Sequence, residues 1–95
     1  MVTALILLTI KRGRVNEVAE RLAGLDGVTE VYSVAGRYDL AAVVRVPRND
    51  ELADLVTRQM VEIDGIMETE TLIAFRAFSR ADLEAGFSLG GGDAA

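Results

Sequence analysis

An α+β fold is predicted for this 95-residue chain, in the ferredoxin-like order β-α-β-β-α-β with one four-stranded antiparallel sheet. Three observations predict it. Two stretches carry apolar residues at helical spacing, and each is followed by Asp-Gly and a β-branched run, at Asp26-Gly27-Val28 and Asp64-Gly65-Ile66. Two strand-like runs in the middle are separated by a short glycine-containing reversal, the sign of a hairpin. The first and last elements also read as strands, so each half is a strand, a helix and a strand.

The first strand occupies 2–10. Ala4, Ile6, Leu8 and Ile10 share one face, while Leu5 and Leu7 lie between Thr3 and Thr9 on the other. Both faces are apolar in the middle, so cover is expected on both sides. Over 14–25 the period changes: Val15, Val18, Ala19, Leu22 and Leu25 recur as a helix stripe, with Glu17, Glu20 and Arg21 outside. Asp26-Gly27 ends that helix, the glycine suiting its C-terminal cap. Strands at 28–35 and 38–46 follow, and Pro47 stops the second.

Asn49 or Asp50 is expected to cap the second helix, whose first turn is loaded with acid by Asp50, Glu51 and Asp54. Its buried stripe is Leu52, Leu55, Val56, Met60 and Ile63. The last strand is placed at 67–78. The domain is thus expected over 1–78, with 79–95 as an extension: a short helix built on Ser79, Ala81, Asp82, Leu83 and Glu84, then a disordered tail containing Gly90, Gly91 and Gly92.

Composition narrows the function classes. At this length there is one domain, which buries about two-thirds of the surface its unfolded chain exposes. The chain is 51% hydrophobic and 26% charged, with positive mean hydropathy, more apolar than a small monomer needs. The surplus is expected in a subunit interface. Helices cover only one sheet face, so a second copy packing sheet to sheet, a dimeric α+β barrel, accounts for it. A net charge of -5 argues against an autonomous nucleic-acid binder. No apolar run reaches the roughly 20 residues of a membrane span. Residues 2–10 lack the basic flank and small-residue cleavage site of a signal peptide. There is no cysteine, so disulfides are excluded and the cytoplasm is the expected compartment. Histidine is also absent and the acids are dispersed, so neither a metal site nor a cofactor is expected. Met1, Met60 and Met67 need no cofactor explanation.

The chemistry concentrates in Gly36-Arg37-Tyr38-Asp39-Leu40, the reversal between the middle strands. Glycine supplies the positive φ that such reversals require. Asp is depleted in strands, so Asp39 at a strand start needs a partner, either a backbone N–H of the turn or a ligand. Tyr38 is an ordinary strand residue that also offers an aromatic wall with a polar tip. Thr69 and Thr71 lie two apart in the last strand, so both hydroxyls leave one face, with Glu68 and Glu70 on the opposite face, where the paired carboxylates read as facing water or pairing with an arginine across an interface. Lys11, Arg12 and Arg14 form a basic cluster at the first strand–helix junction, which reads as a solvated turn because no glycine-rich phosphate loop accompanies it.

These residues resemble a family. Val34-Ala35-Gly36-Arg37-Tyr38-Asp39-Leu40 follows a V-x-G-x-Y-D-L pattern, and Thr69-Glu70-Thr71 precedes the aliphatic run Leu72-Ile73-Ala74-Phe75. Together they resemble the C-terminal effector-binding domain of Lrp/AsnC (leucine-responsive, feast/famine) transcription regulators, over about 1–78. The chain starts at the first strand, with no residues corresponding to a helix-turn-helix, so it reads as a stand-alone ligand-binding module and DNA binding is not carried over. The resemblance implies sheet-mediated dimers, higher assemblies such as octameric rings, and a small effector, an amino acid above all, bound at contacts between dimers. It implies that Gly36, Arg37, Tyr38, Asp39 and Leu40 form the pocket, with Thr69 and Thr71 nearby. A zwitterion suits that set: backbone N–H groups or Arg37 for its carboxylate, Asp39, carbonyls or a threonine hydroxyl for its ammonium.

Two other classes stand beside this one. Small dimers of this topology include monooxygenase-like and isomerase-like enzymes, but no nucleophile here is paired with a base and the commonest general base is missing. A pure assembly module, joining full-length regulators through the shared sheet face, is the other.

Overall fold

Alternation in the first strand decides the layout. The computed structural model describes residues 1–80. Strand β1 (Val2–Ile10) turns Ala4, Ile6, Leu8 and Ile10 inward, where they are buried, while Leu5 is 41% exposed on the other side. Helix α1 (Val15–Ala23) lays Val18 and Leu22 on the inward face. Strands β2 (Val28–Ser33) and β3 (Leu40–Val46) form the hairpin. Helix α2 (Asn49–Asp54) continues as a π-helical turn, Leu55–Gln59, and a 3-10 turn, Met60–Glu62, before the last strand, β4 (Ile66–Ile73).

The sheet runs β2-β3-β1-β4, antiparallel throughout, so the fold is ferredoxin-like α+β as the sequence implies. Register fixes what shares a face. Leu8 lies opposite both Leu40 and Thr69, and Ile6 opposite Ala42 and Thr71, all on the helix-covered side. Leu7 lies opposite Ala41 and Glu70, and Leu5 opposite Val43 and Leu72, on the open side. Between the sheet and the helices sits the core: Ile6, Leu8, Leu22, Leu40, Leu55, Val18 and Val44 are the largest fully buried side chains. Burying each contributes about 1.5–3 kcal/mol.

The connections differ from expectation where local chemistry wins. Helix α1 stops at Ala23, two residues early, because Gly24 caps it by donating its N–H to the carbonyls of Arg21 and Leu22. Asp26-Gly27 is instead the turn into β2. Gly27 and Gly65 have φ of 96° and 104°, and a Cβ on Gly27 would lie 2.7 Å from Val46 Cγ1. The repeated Asp-Gly therefore marks two equivalent strand entries. Neither Asn49 nor Asp50 caps α2. Arg48 is the capping residue, no side chain bonds the free N–H groups, and its guanidinium pairs with Asp50 and Glu51 at 3.4 Å each. Strands β2 and β3 are two residues shorter at the hairpin than expected, and β4 ends at Ile73 rather than at Phe78. The chain after β4 keeps one sheet bond, Ala74 N–H to Thr3 O at 2.9 Å, and leaves Phe75 fully exposed. The expected short helix on Ser79, Ala81, Asp82, Leu83 and Glu84 and the triple-glycine tail lie outside the described residues, which end at 80; of the helix's start, Ser79 is not helical and Arg80 is.

Candidate functional site

Loop 34–39 joins β2 to β3 at the sheet end where β1 finishes. Gly36 adopts φ 124°, with no heavy atom near the place a Cβ would occupy, so backbone conformation alone calls for glycine there. The loop closes on itself through Val34 N–H to Asp39 O, 3.1 Å. Asp39 then stitches the loop to β1. Its N–H donates to Leu8 O at 2.8 Å and its Oδ2 accepts the Ile10 N–H at 2.7 Å. The β1–β3 register would put residue 38 opposite Ile10. The Asp39 carboxylate therefore takes the N–H that a carbonyl of a longer β3 would have taken. A backbone donor, not in its own turn but across the sheet, is the partner Asp39 requires.

Tyr38 reaches further. Its hydroxyl donates to Glu70 Oε1 on β4. Because β1 lies between β3 and β4, the phenol crosses β1 to make this bond, on the open face where Glu70 stands opposite Leu7. The Arg37 guanidinium carbon sits 5.3 Å from the centre of the Tyr38 ring, within cation–π range. The Glu70 carboxylate raises the phenol above its ordinary value, lost hydration adds to this, and Arg37 opposes it. Arg37, Tyr38 and Glu70 thus form a chain of alternating charge and ring on the sheet's open side.

The threonines are elsewhere. Thr69 and Thr71 share the helix face with Leu8 and Ile6, so the sheet separates them from the Tyr38–Glu70 bond. Both line clefts between α2 and β4: Thr71 one of about 470 Å³ with Leu52, Val56, Ile73 and Phe75, and Thr69 one of about 260 Å³ with Met60 and Ile66. Leu40 is fully buried in the core, so only its backbone faces the loop. Of the residues the sequence singles out, the structure brings Arg37, Tyr38 and Asp39 together and sets Thr69 and Thr71 apart. What sequence reasoning missed is the bond between Tyr38 and Glu70. By spacing Glu70 is an ordinary carboxylate of the last strand, although alternation alone puts it on the face opposite the threonines. In the basic cluster, Arg14 is structural: it pairs with Glu17 at 2.8 Å and with Asp64 at 3.2 Å, tying the start of α1 to the turn before β4.

The sequence profile described as the Lrp/AsnC ligand binding domain matches residues 3–83. The chain belongs to that family. Among solved structures it resembles TTHA0845 from Thermus thermophilus, with 46% identity over 84% of this chain and all of that one, at a TM-score of 0.79. AsnC of Escherichia coli is 30% identical with a TM-score of 0.77, covering 83% of this chain and 54% of AsnC. The regulator FL11 of Pyrococcus furiosus is 31% identical over 75 residues, which is 79% of this chain and 49% of FL11. This Lrp/AsnC domain thus spans about half the length of those regulators. The family and its relatives are transcription regulators rather than enzymes, which removes the monooxygenase-like and isomerase-like alternatives. Lrp/AsnC regulators bind amino-acid effectors and form oligomers. No described helix is long and apolar enough to cross a membrane.

Proposed function

We propose that this Lrp/AsnC domain binds a free amino acid or similar small effector at a contact between copies, and that occupancy changes the assembly through which transcription is regulated. One observation carries the reading: the Tyr38 hydroxyl, bonded to Glu70, with Arg37 against its ring, and the hydroxyls of Thr69 and Thr71 lie on opposite sides of the sheet. A ligand that touches both groups takes the loop from one copy and the threonines from another. Such a ligand binds only the assembled state, so by differential affinity it favours that state.

The first step of assembly is sheet on sheet. Leu5, Leu7, Ala41, Val43, Leu72 and Tyr32 crowd the open face, with Leu5, Leu72 and Tyr32 between 41% and 51% exposed. Covering that face with a second copy gives the dimeric α+β barrel, and effector contacts then join dimers into a larger, octamer-like ring. Full-length regulators of the family are the natural co-assembly partners, in the cytoplasm. No nucleic-acid or membrane contact is assigned to the domain, and no cofactor or metal enters its mechanism.

A thermal-shift screen against the common amino acids at millimolar concentration tests this. Ligand at about 100 times its dissociation constant stabilises by roughly 2.7 kcal/mol, which in a domain this size moves the midpoint by several degrees. A selective shift, accompanied by a larger species in sedimentation, is expected. Identical melting and sedimentation with every amino acid would instead favour a pure assembly module, the reading that the apolar open face alone supports.

A further inference from the structure

Charge on the open face of the sheet lies on a diagonal. Leu5 stands at the middle of that face, with Val43 opposite it on one side and Leu72 on the other. Arg45 lies one strand away on β3, opposite Thr3, two residues toward the start of β1. Glu70 lies one strand away on β4, opposite Leu7, two residues toward the end of β1. The two are therefore equidistant from Leu5, on opposite sides of it. With strands about 4.8 Å apart and a rise of about 3.4 Å per residue, some 17 Å separates them, too far to meet within one copy.

Both are exposed, and neither forms an ion pair with a described residue. The Tyr38 hydroxyl donates to Glu70 Oε1, which fixes the carboxylate over the sheet and leaves its charge and second oxygen unused. A sheet-on-sheet dimer takes both groups out of water, and a charge buried without a partner is costly. One symmetry satisfies both. A two-fold axis between the sheets, crossing the diagonal at right angles over Leu5, sets Arg45 of each copy over Glu70 of the partner subunit. On the same spacings the strands of the two sheets then cross at about 70°, close to the orthogonal class of sheet packing.

We infer that the open face selects a second copy of this chain through two reciprocal ion pairs, Arg45 of one subunit with Glu70 of the partner subunit, disposed about Leu5. The inference rests on the sheet-on-sheet dimer proposed above and gives it an orientation. Any chain that covers this face has to present the same diagonal of charge, so the two pairs also discriminate between partners. Glu68, two residues from Glu70 and opposite Thr9, lies off the diagonal and serves as the internal control.

Charge reversal in the intact chain, read by sedimentation equilibrium, tests this. In its own dimer Arg45→Glu sets two carboxylates against Glu70, and Glu70→Arg sets two guanidinium groups against Arg45. Each variant alone should dimerise about a hundredfold more weakly than wild type, because two charged hydrogen bonds are lost together. Mixed in equal amounts, the two variants regain both opposite-charge pairs, and the mixture should recover most of the wild-type affinity. Glu68→Arg should weaken dimerisation far less and gain nothing when mixed with Arg45→Glu. A second set, Arg45→Gln, Glu70→Gln and the double variant, keeps the protomer's packing and an acceptor for the phenol. The double variant should dimerise about as well as either single one, whereas additive losses overturn the pairing. Two weak reversal variants whose mixture stays monomeric overturn it too, as do reversal variants that dimerise like wild type. If in that last case Leu72→Ala still weakens association, the sheet-on-sheet dimer stands and only the ion pair falls. A wild-type chain that is monomeric throughout removes the dimer and the inference together.

Discussion

The two faces of the sheet are made from the same strands by the same alternation, yet they meet opposite fates. On the helix side Ile6, Leu8, Leu40 and Val44 are completely buried. On the other side Leu5 and Leu72, directly opposite each other across β1 and β4, stay more than two-fifths exposed. The difference teaches that apolar character in a strand specifies burial, but not by what: a helix of the same chain covers one face, and the other is left for a neighbour.

Substitutions on the two faces should separate folding from association. Leu8→Ala leaves a cavity under the helices and should cost about 2–5 kcal/mol of unfolding free energy, measured by urea titration. Asp39→Ala acts at the seam where β3 hands over to β1. It should cost about 1–3 kcal/mol by orphaning the Ile10 N–H, and Asp39→Asn should recover most of it, because an amide oxygen still accepts. Leu72→Ala should weaken dimerisation about tenfold in sedimentation equilibrium with little change in protomer stability, as burying its side chain implies. If Leu72→Ala destabilised the protomer as much as Leu8→Ala, the two faces would not differ in kind.

Two smaller effects are set by pH. Asp54, which accepts from Arg58 and Gln59, is held at about 2, below its ordinary value. A carboxylate lowered in the fold contributes stability above its unfolded value near 3.8, and that contribution fades as pH falls toward 2. Arg58→Met should flatten the acid side of the melting profile over that window. Tyr38 is raised in the fold, so its contribution is complete below pH about 10 and fades as pH rises further. Glu70→Gln should bring its titration, followed on the phenol carbon by NMR, back toward the ordinary tyrosine value.

Much of this is legible in the chain. Alternation assigns both faces of β1 correctly, and of the expected stripe Leu52, Leu55, Val56, Met60 and Ile63 all are buried except Val56, which is partly buried against the core. The same stripe carries a subtler signal. Between its buried members, leaving out Val56, the steps are three, five and three residues, and the step of five falls where Met60 donates to Leu55 O across the π-helical turn. The polar Gln59 occupies the position that a regular helix would have buried. The wide turn carries it past and lets it bond Asp54 at 2.8 Å instead. The Tyr38–Glu70 bond is not legible, because it joins residues 32 apart and depends on β1 lying between their strands. Local spacing does not contain sheet order. The separation of Thr69 and Thr71 from the loop is hidden for the same reason.

The chain has two tyrosines and no tryptophan. Tyr32 donates to Glu30 at 2.6 Å and Tyr38 to Glu70, and both phenols stand on the open side of the sheet. Near-ultraviolet absorbance and emission from this protein therefore originate almost entirely on the surface where copies are proposed to meet. The molecule is its own optical probe: an unlabelled sample reports a second copy arriving on that surface through the same two rings that line it, while the core stays dark.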